Sequence, residues 1–191
     1  MVTRARSPHA GRSTPAVHSL TAAAAQPGYP AHHAPRRLLA RDGGARLMFD
    51  TSALAKRYAA EPGRERVLSL CAQADELLVA AHCKVEVASA LLRRRREGVL
   101  PAADFDRAWS AAQRDLADMT RVPLDEHVER FAVAAMEHAP LRAMDALHVG
   151  SALAARVDLF VTADRRQAQA ARGMGLATEL VDGSPQEEAA R

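Results

Sequence analysis

The stretch Arg46-Leu47-Met48-Phe49-Asp50-Thr51-Ser52-Ala53-Leu54 decides the fold. Its first four residues form a short apolar run without polar alternation, which reads as a strand buried on both faces. Asp50 stands at the turn, and from residue 51 to about 60 the apolar spacing becomes helical until Pro62-Gly63 interrupts it. A buried strand leading directly into a helix is the opening unit of a parallel sheet.

The same alternation continues along the chain. Helices are expected over 64–72, 82–97 and 101–118, with Gly98 closing the second and Pro101 in the first turn of the third. Further helices are expected over 125–138, 144–155 and 165–172, the last ended by Gly173. Strands are expected over 77–80, 120–123, 159–162 and 177–181. The class is therefore α/β, with a central parallel sheet of four to five strands between two helical layers.

Upstream the pattern changes. Residues 1–47 carry seven arginines and a single acid, Asp42, so the overall charge of +3 and the pI near 9.3 describe this segment more than the rest. From Met48 onward the balance is negative, and the pI gives no argument for nucleic-acid binding. Residues 1–45 mix Ala, Pro, His, Ser, Gly and Arg without periodicity and are expected to be a disordered basic tail, as is the short segment 183–191. One domain spans 46–182. Met48 is taken as the native start, so a chain beginning there is expected to be as stable as the longer one. The best signal-peptide candidate, residues 16–25, is interrupted by His18, Ser19 and Thr21, and the apolar runs are far shorter than the roughly 20 residues that span a bilayer. A cytoplasmic location follows as an expectation. Cys71 and Cys83 are too few and too isolated for a disulfide scaffold or a Cys-rich zinc site.

No GxGxxG, GxxxxGK[ST], HExxH or GxSxG pattern occurs. Carboxylates remain. Asp50 and Asp164 each follow a strand directly, and each has an ordinary reading as a helix N-cap. Asp145 has the same option. Glu86 does not, because it stands among apolar neighbours inside a helix, where its charge is costly unless a cation or hydrogen-bond donors meet it. Ends of strands and starts of helices converge at the carboxyl edge of an open parallel sheet, where such folds bind ligands. Four carboxylates gathered there repel one another, and a hard divalent cation is their natural occupant, with oxygen-only ligands selecting Mg²⁺ or Mn²⁺ over zinc.

These residues resemble the PIN-domain ribonucleases, and among them the VapC-type toxins of type II toxin–antitoxin pairs. The resemblance rests on Asp50-Thr51-Ser52-Ala53-Leu54 with Lys56 and Tyr58, on Glu86 with Ser89-Ala90-Leu91, on Asp145-Ala146-Leu147-His148, and on Phe160-Val161-Thr162-Ala163-Asp164. It covers Met48 to Asp182. It implies a PIN-like three-layer α/β/α fold and a metal-dependent endoribonuclease whose quartet Asp50, Glu86, Asp145 and Asp164 is at once catalytic and metal-binding. In that mechanism a metal-activated water hydrolyses an RNA phosphodiester. It also implies an RNA substrate, a cognate VapB-like antitoxin and a homodimer, with no membrane partner.

Ser52 and Thr162 stand beside the quartet as hydroxyls able to orient a carboxylate. Lys56, Arg57, Arg165 and Arg166 each follow an active-site Asp within about a turn and are candidates for phosphate contact. His148 lies on the face of Asp145 and is read as structural. The Arg93 to Arg96 run is read as a solvated helix end, and Phe105, Trp109 and Leu116 as a core stripe. Asp50→Asn and Asp145→Asn are both expected to abolish cleavage and to leave the fold intact or stabler. A haloacid dehalogenase-type phosphatase would carry a second Asp two positions after Asp50, where Ser52 stands. A non-catalytic PIN-like RNA- or protein-binding module is the remaining alternative.

Overall fold

The computed structural model describes residues 44–181, and the expectations for the two terminal tails lie outside the described residues. Five parallel strands, β1 Arg46–Phe49, β2 Glu76–Ala80, β3 Thr120–Val122, β4 Leu159–Thr162 and β5 Thr178–Leu180, form a sheet in the order β3-β2-β1-β4-β5. Met48 of β1 stands level with Leu78 on one side and Phe160 on the other. The chain builds outward from β1 to β3 and then crosses back to place β4 on the other flank of β1. The β1–β4 junction is thus the point where strand order reverses, and its carboxyl edge is where sheets of this kind bind ligands.

Seven helices cover the sheet: α1 Thr51–Ala55, α2 Arg64–Gln73, α3 Cys83–Arg96, α4 Ala102–Asp118, α5 Glu126–His138, α6 Ala143–Ala154 and α7 Arg165–Gly173. The strand residues alternate between two cores. Leu47, Phe49, Val79, Leu159 and Val161 pack on one face with Val67, Leu70, Val87, Leu91, Phe105 and Leu116 of α2, α3 and α4. Met48, Leu78, Ala80 and Phe160 pack on the other with Val128, Ala135, Val149, Ala152, Ala170 and Ala171 of α5, α6 and α7. Burial on both faces explains why β1 and β4 read as unbroken apolar runs. The three-layer α/β/α architecture expected from the sequence is present.

Three local details differ from expectation. The first helix ends at Ala55 and tightens into a 3₁₀ turn over Lys56–Tyr58. Pro101 is the N-cap of α4, in extended conformation, and helical geometry begins at Ala102. α7 runs through Gly173, and the left-handed residue beyond it is Gly175. A further detail bears on stability. Met48 lies inside β1, and Leu47 before it is fully buried. Arg46 donates to Glu76 at 2.6 Å and to the Ala155 carbonyl at 2.7 Å. The residues just before Met48 belong to the central strand, as its apolar run implies, and this bears on a chain that begins at Met48.

Helices α5 and α6 approach with almost nothing between them. A Cβ on Gly150 would lie 2.5 Å from the Val128 carbonyl oxygen and 2.8 Å from the Ala132 nitrogen, so only glycine permits this backbone contact. No helix of the described residues is long and apolar enough to cross a membrane.

Candidate functional site

Asp50 ends the central strand and is fully buried. One carboxylate oxygen, Oδ1, accepts from the Ala53 amide at 2.8 Å and so caps α1. The other, Oδ2, accepts from Ser52 Oγ at 2.6 Å, Thr162 Oγ1 at 2.9 Å and Gln167 Nε2 at 2.9 Å. Ser52 Oγ in turn accepts from the Ala163 amide at 2.9 Å, and Thr162 Oγ1 from the Asp164 amide at 3.0 Å. Asp50 therefore ties the β1–α1 turn to the β4–α7 turn, and the desolvation of its charge is met by four donors. Asp164 caps α7, accepting from the amides of Arg166 at 2.7 Å and Gln167 at 3.2 Å. Both aspartates act as caps, and both capping positions face the same edge of the sheet, so capping and a functional role are compatible.

Glu86 stands in the first turn of α3. Its Oε2 accepts from Thr51 Oγ1 at 2.7 Å and lies 2.6 Å from His148 Nε2. His82, one turn earlier, brings Nε2 to 3.6 Å from the same oxygen. Burial alone would raise the Glu86 carboxyl, but hydrogen bonds from His148 and Thr51 and the charges of both histidines outweigh it and hold the group below the usual carboxylate range. Asp145, in the first turn of α6, goes the other way. Burial raises it first, the charge of Asp164 next and that of Glu86 further, against a bond from the Arg142 amide and the attraction of His148. Asp145 thus feels the charges of both Asp164 and Glu86. His148 itself is buried, as its structural reading required, and also touches Glu86.

Two of the basic candidates are engaged elsewhere. Lys56 is nearly buried and donates to the Pro62 carbonyl at 2.8 Å. Arg57 pairs with Asp115 of α4 at 2.6 Å, where Tyr58 also donates at 3.1 Å. The expectation that these two face phosphate is corrected: their side chains fasten the first helical turn to its own layer. Arg165 and Arg166 are exposed at the start of α7, beside Asp164. In the run at the end of α3, Arg94 pairs with Glu61 and Arg95 lies 4.7 Å over the Phe105 ring, so this helix end is partly engaged rather than simply solvated.

The sequence assigns no role to His82 or Gln167, and Thr51 reads in it as an ordinary first-turn residue of the opening motif. His82 precedes Glu86 by four residues and so shares its helical face, which is a legible signal. Gln167 and Thr51 carried none, because their contacts cross between elements.

A profile of the PIN-domain family matches residues 47–173, and the chain belongs to that family, whose members are generally nucleases. Among solved structures, FitAcB from Neisseria gonorrhoeae is similar at 14% identity and a TM-score of 0.53, covering 69% of this chain and 95% of the other. VapBC2 from Rickettsia felis, bound to a DNA fragment from their promoter, is similar at 13% identity and a TM-score of 0.52, covering 71% and 98%. DNA-bound VapBC from Salmonella typhimurium is similar at 13% identity and a TM-score of 0.50, covering 71% and 97%. At these identities the likeness is one of fold. No curated protein matches the sequence.

Proposed function

We propose that this chain is a divalent-metal-dependent endoribonuclease, the toxin half of a VapBC-like pair, with residues 46–182 as its catalytic domain. The observation that carries the reading is that the charges of Asp164 and Glu86 both bear on Asp145, while Asp50 and Asp164 cap helices from the turns that follow β1 and β4. Oxygen donors crowded in this way fit a hard dication. Asp50 Oδ1, with one amide partner, keeps a lone pair for such an ion, and the carboxylates of Glu86, Asp145 and Asp164 would complete the set. When bound, Mg²⁺ or Mn²⁺ supplies an activated water and neutralises the charge that develops on the phosphate. The chain's own contribution is positional. Ser52, Thr162 and Gln167 fix Asp50, Thr51 fixes Glu86, and the Arg142 amide fixes Asp145. Arg165 and Arg166 stand where a phosphate near Asp164 would meet positive charge.

The two-component names of the similar structures support a VapB-like antitoxin as partner, and a basic side chain inserted among the four acids would silence them. A homodimer and a cytoplasmic location complete the reading. The full chain incubated with total RNA should yield discrete products in Mg²⁺ or Mn²⁺, none in EDTA, and none from Asp164→Asn. Well-folded wild type that yields no products with any RNA and either metal would overturn the proposal.

A further inference from the structure

Beside the acidic set lies a cluster of different chemistry. His82, Glu86 and His148 each offer one ligand atom, and these atoms lie within 4.8 Å of one another. The two imidazole rings pack against each other, with centroids 4.3 Å apart and planes inclined at 52°. His148 Nε2 is 2.6 Å and His82 Nε2 is 3.6 Å from Glu86 Oε2.

The hydrogen bonding around the rings is incomplete. The Met144 carbonyl accepts from His82, while His82 Nε2 is buried and has no partner. A ring that donates through one nitrogen to a backbone carbonyl presents a bare lone pair at the other, the arrangement that prepares a histidine for a metal. That nitrogen lies 3.6 Å from Glu86 Oε2, beyond hydrogen-bond reach, so a buried polar atom stands beside a carboxylate without a bond of its own. His148 Nδ1 is likewise buried without a partner, so this ring is held through Nε2 alone.

We infer that His82, Glu86 and His148 form a two-histidine, one-carboxylate site for a borderline transition-metal dication, of which Zn²⁺ is the representative. The donor set decides the class of ion, because imidazole nitrogens favour Zn²⁺ and its neighbours in the transition series whereas Mg²⁺ favours oxygen alone. The Glu86–His148 separation is shorter than that of two ligands on one ion, so binding opens this contact by about 0.7 Å. Thr51 Oγ1, 2.7 Å from Glu86 and 3.2 Å from His148, keeps the carboxylate oriented during that opening. Cys83 stands outside this three-atom cluster, with its sulfur 3.5 Å from Thr51 Oγ1. The site goes beyond the acidic quartet and shares Glu86 with it. An ion held here therefore withdraws Glu86 from Mg²⁺.

The test is direct metal binding by the full chain, stripped with EDTA and dialysed free of it. Zn²⁺ uptake is read by competition with a chromophoric chelator, and Co²⁺ is used as an optical probe. Wild type should bind one equivalent of Zn²⁺ that survives a large excess of Mg²⁺, with a cobalt spectrum of nitrogen and oxygen ligands. His82→Ala and His82→Gln should each weaken Zn²⁺ binding by at least about tenfold while melting cooperatively in EDTA. Asp164→Asn, outside the cluster, should stay within about threefold of wild type. Wild-type affinity in both His82 variants, ready displacement by Mg²⁺, a thiolate-to-cobalt charge-transfer band, or a loss in Asp164→Asn equal to that in His82→Ala would each overturn the site. Intact Zn²⁺ binding by a chain that cleaves no RNA would support the site while removing the nuclease reading.

Discussion

Asp50→Asn separates two forces that act on the same carboxylate. Removing a charge from a group of four acids relieves repulsion, which is the basis for expecting a stabler fold. The hydrogen bonds oppose this. All four partners of Asp50 are donors: Ala53 N–H on Oδ1, and Ser52, Thr162 and Gln167 on Oδ2. An asparagine has one acceptor oxygen and an amide with donors of its own. With the oxygen toward the three side chains, its amide faces the Ala53 N–H; turned round, it faces Ser52, Thr162 and Gln167. Gln167 can flip, since its Oε1 has no partner, and the hydroxyls can rotate, but no arrangement satisfies every donor. One bond to a charged acceptor is lost and the others lose their charge assistance, a cost of about 2–4 kcal/mol. Repulsion is the smaller term, because Glu86 and Asp145 are half-buried and screened by water. At about 3 °C per kcal/mol, the melting temperature in EDTA should fall by about 6–12 °C, with cleavage abolished. A melting temperature equal to or above that of wild type would show that repulsion dominates and refute this account.

Asp145→Asn should act in the opposite direction and raise stability in EDTA by less than about 1 kcal/mol, since the group is half-solvated. The folded-state pKa of Asp145 is raised, so its ionised form opposes folding near neutral pH and that penalty fades as pH falls into the carboxylate range. Melts of the two proteins should therefore converge on acidification, and a gap that widens would contradict the sign. Arg57→Ala should lose about 1 kcal/mol through the partly buried Asp115 pair while retaining wild-type cleavage; a cleavage defect without a stability change would return Arg57 to the substrate path. A chain shortened to begin at Met48 removes the fully buried Leu47 and should be destabilised by about 2–4 kcal/mol in denaturant titration, whereas an unchanged midpoint would show that β1 does not need its first half. Thr162→Val strips Asp50 of one donor and the Asp164 amide of its acceptor, and should cost about 1–3 kcal/mol by the same measurement, with no change counting against the coupling of the two turns.

The sheet was legible because its strands are buried on both faces, so Leu47, Met48, Phe49 and Leu159 to Val161 declare themselves by composition alone. Glu86 was legible for the opposite reason, as a charge in apolar company. What escaped depends on which elements cross. Lys56 and Arg57 follow Asp50 closely in sequence, yet Asp115, on a helix far along the chain, determines where Arg57 points. Thr51 reads as an ordinary first-turn residue until α3 brings Glu86 against it. Gln167 reads as a polar residue of a surface helix, and its burial against Asp50 follows from how α7 descends onto β4. His82 had the right spacing, but spacing does not show that one of its nitrogens is bare.

The contact at Gly150 makes α5 and α6 a single mechanical part. Asp145 and His148 lie on α6 within two turns of that glycine, and α6 is held between β2 and the close backbone contact with α5. Any side chain at position 150 would have to push one backbone off the other, since the obstructing atoms belong to the main chain of α5. A change on α5 at Val128 or Ala132 therefore bears on the helix that carries Asp145 and His148 without altering any residue that would touch metal or RNA.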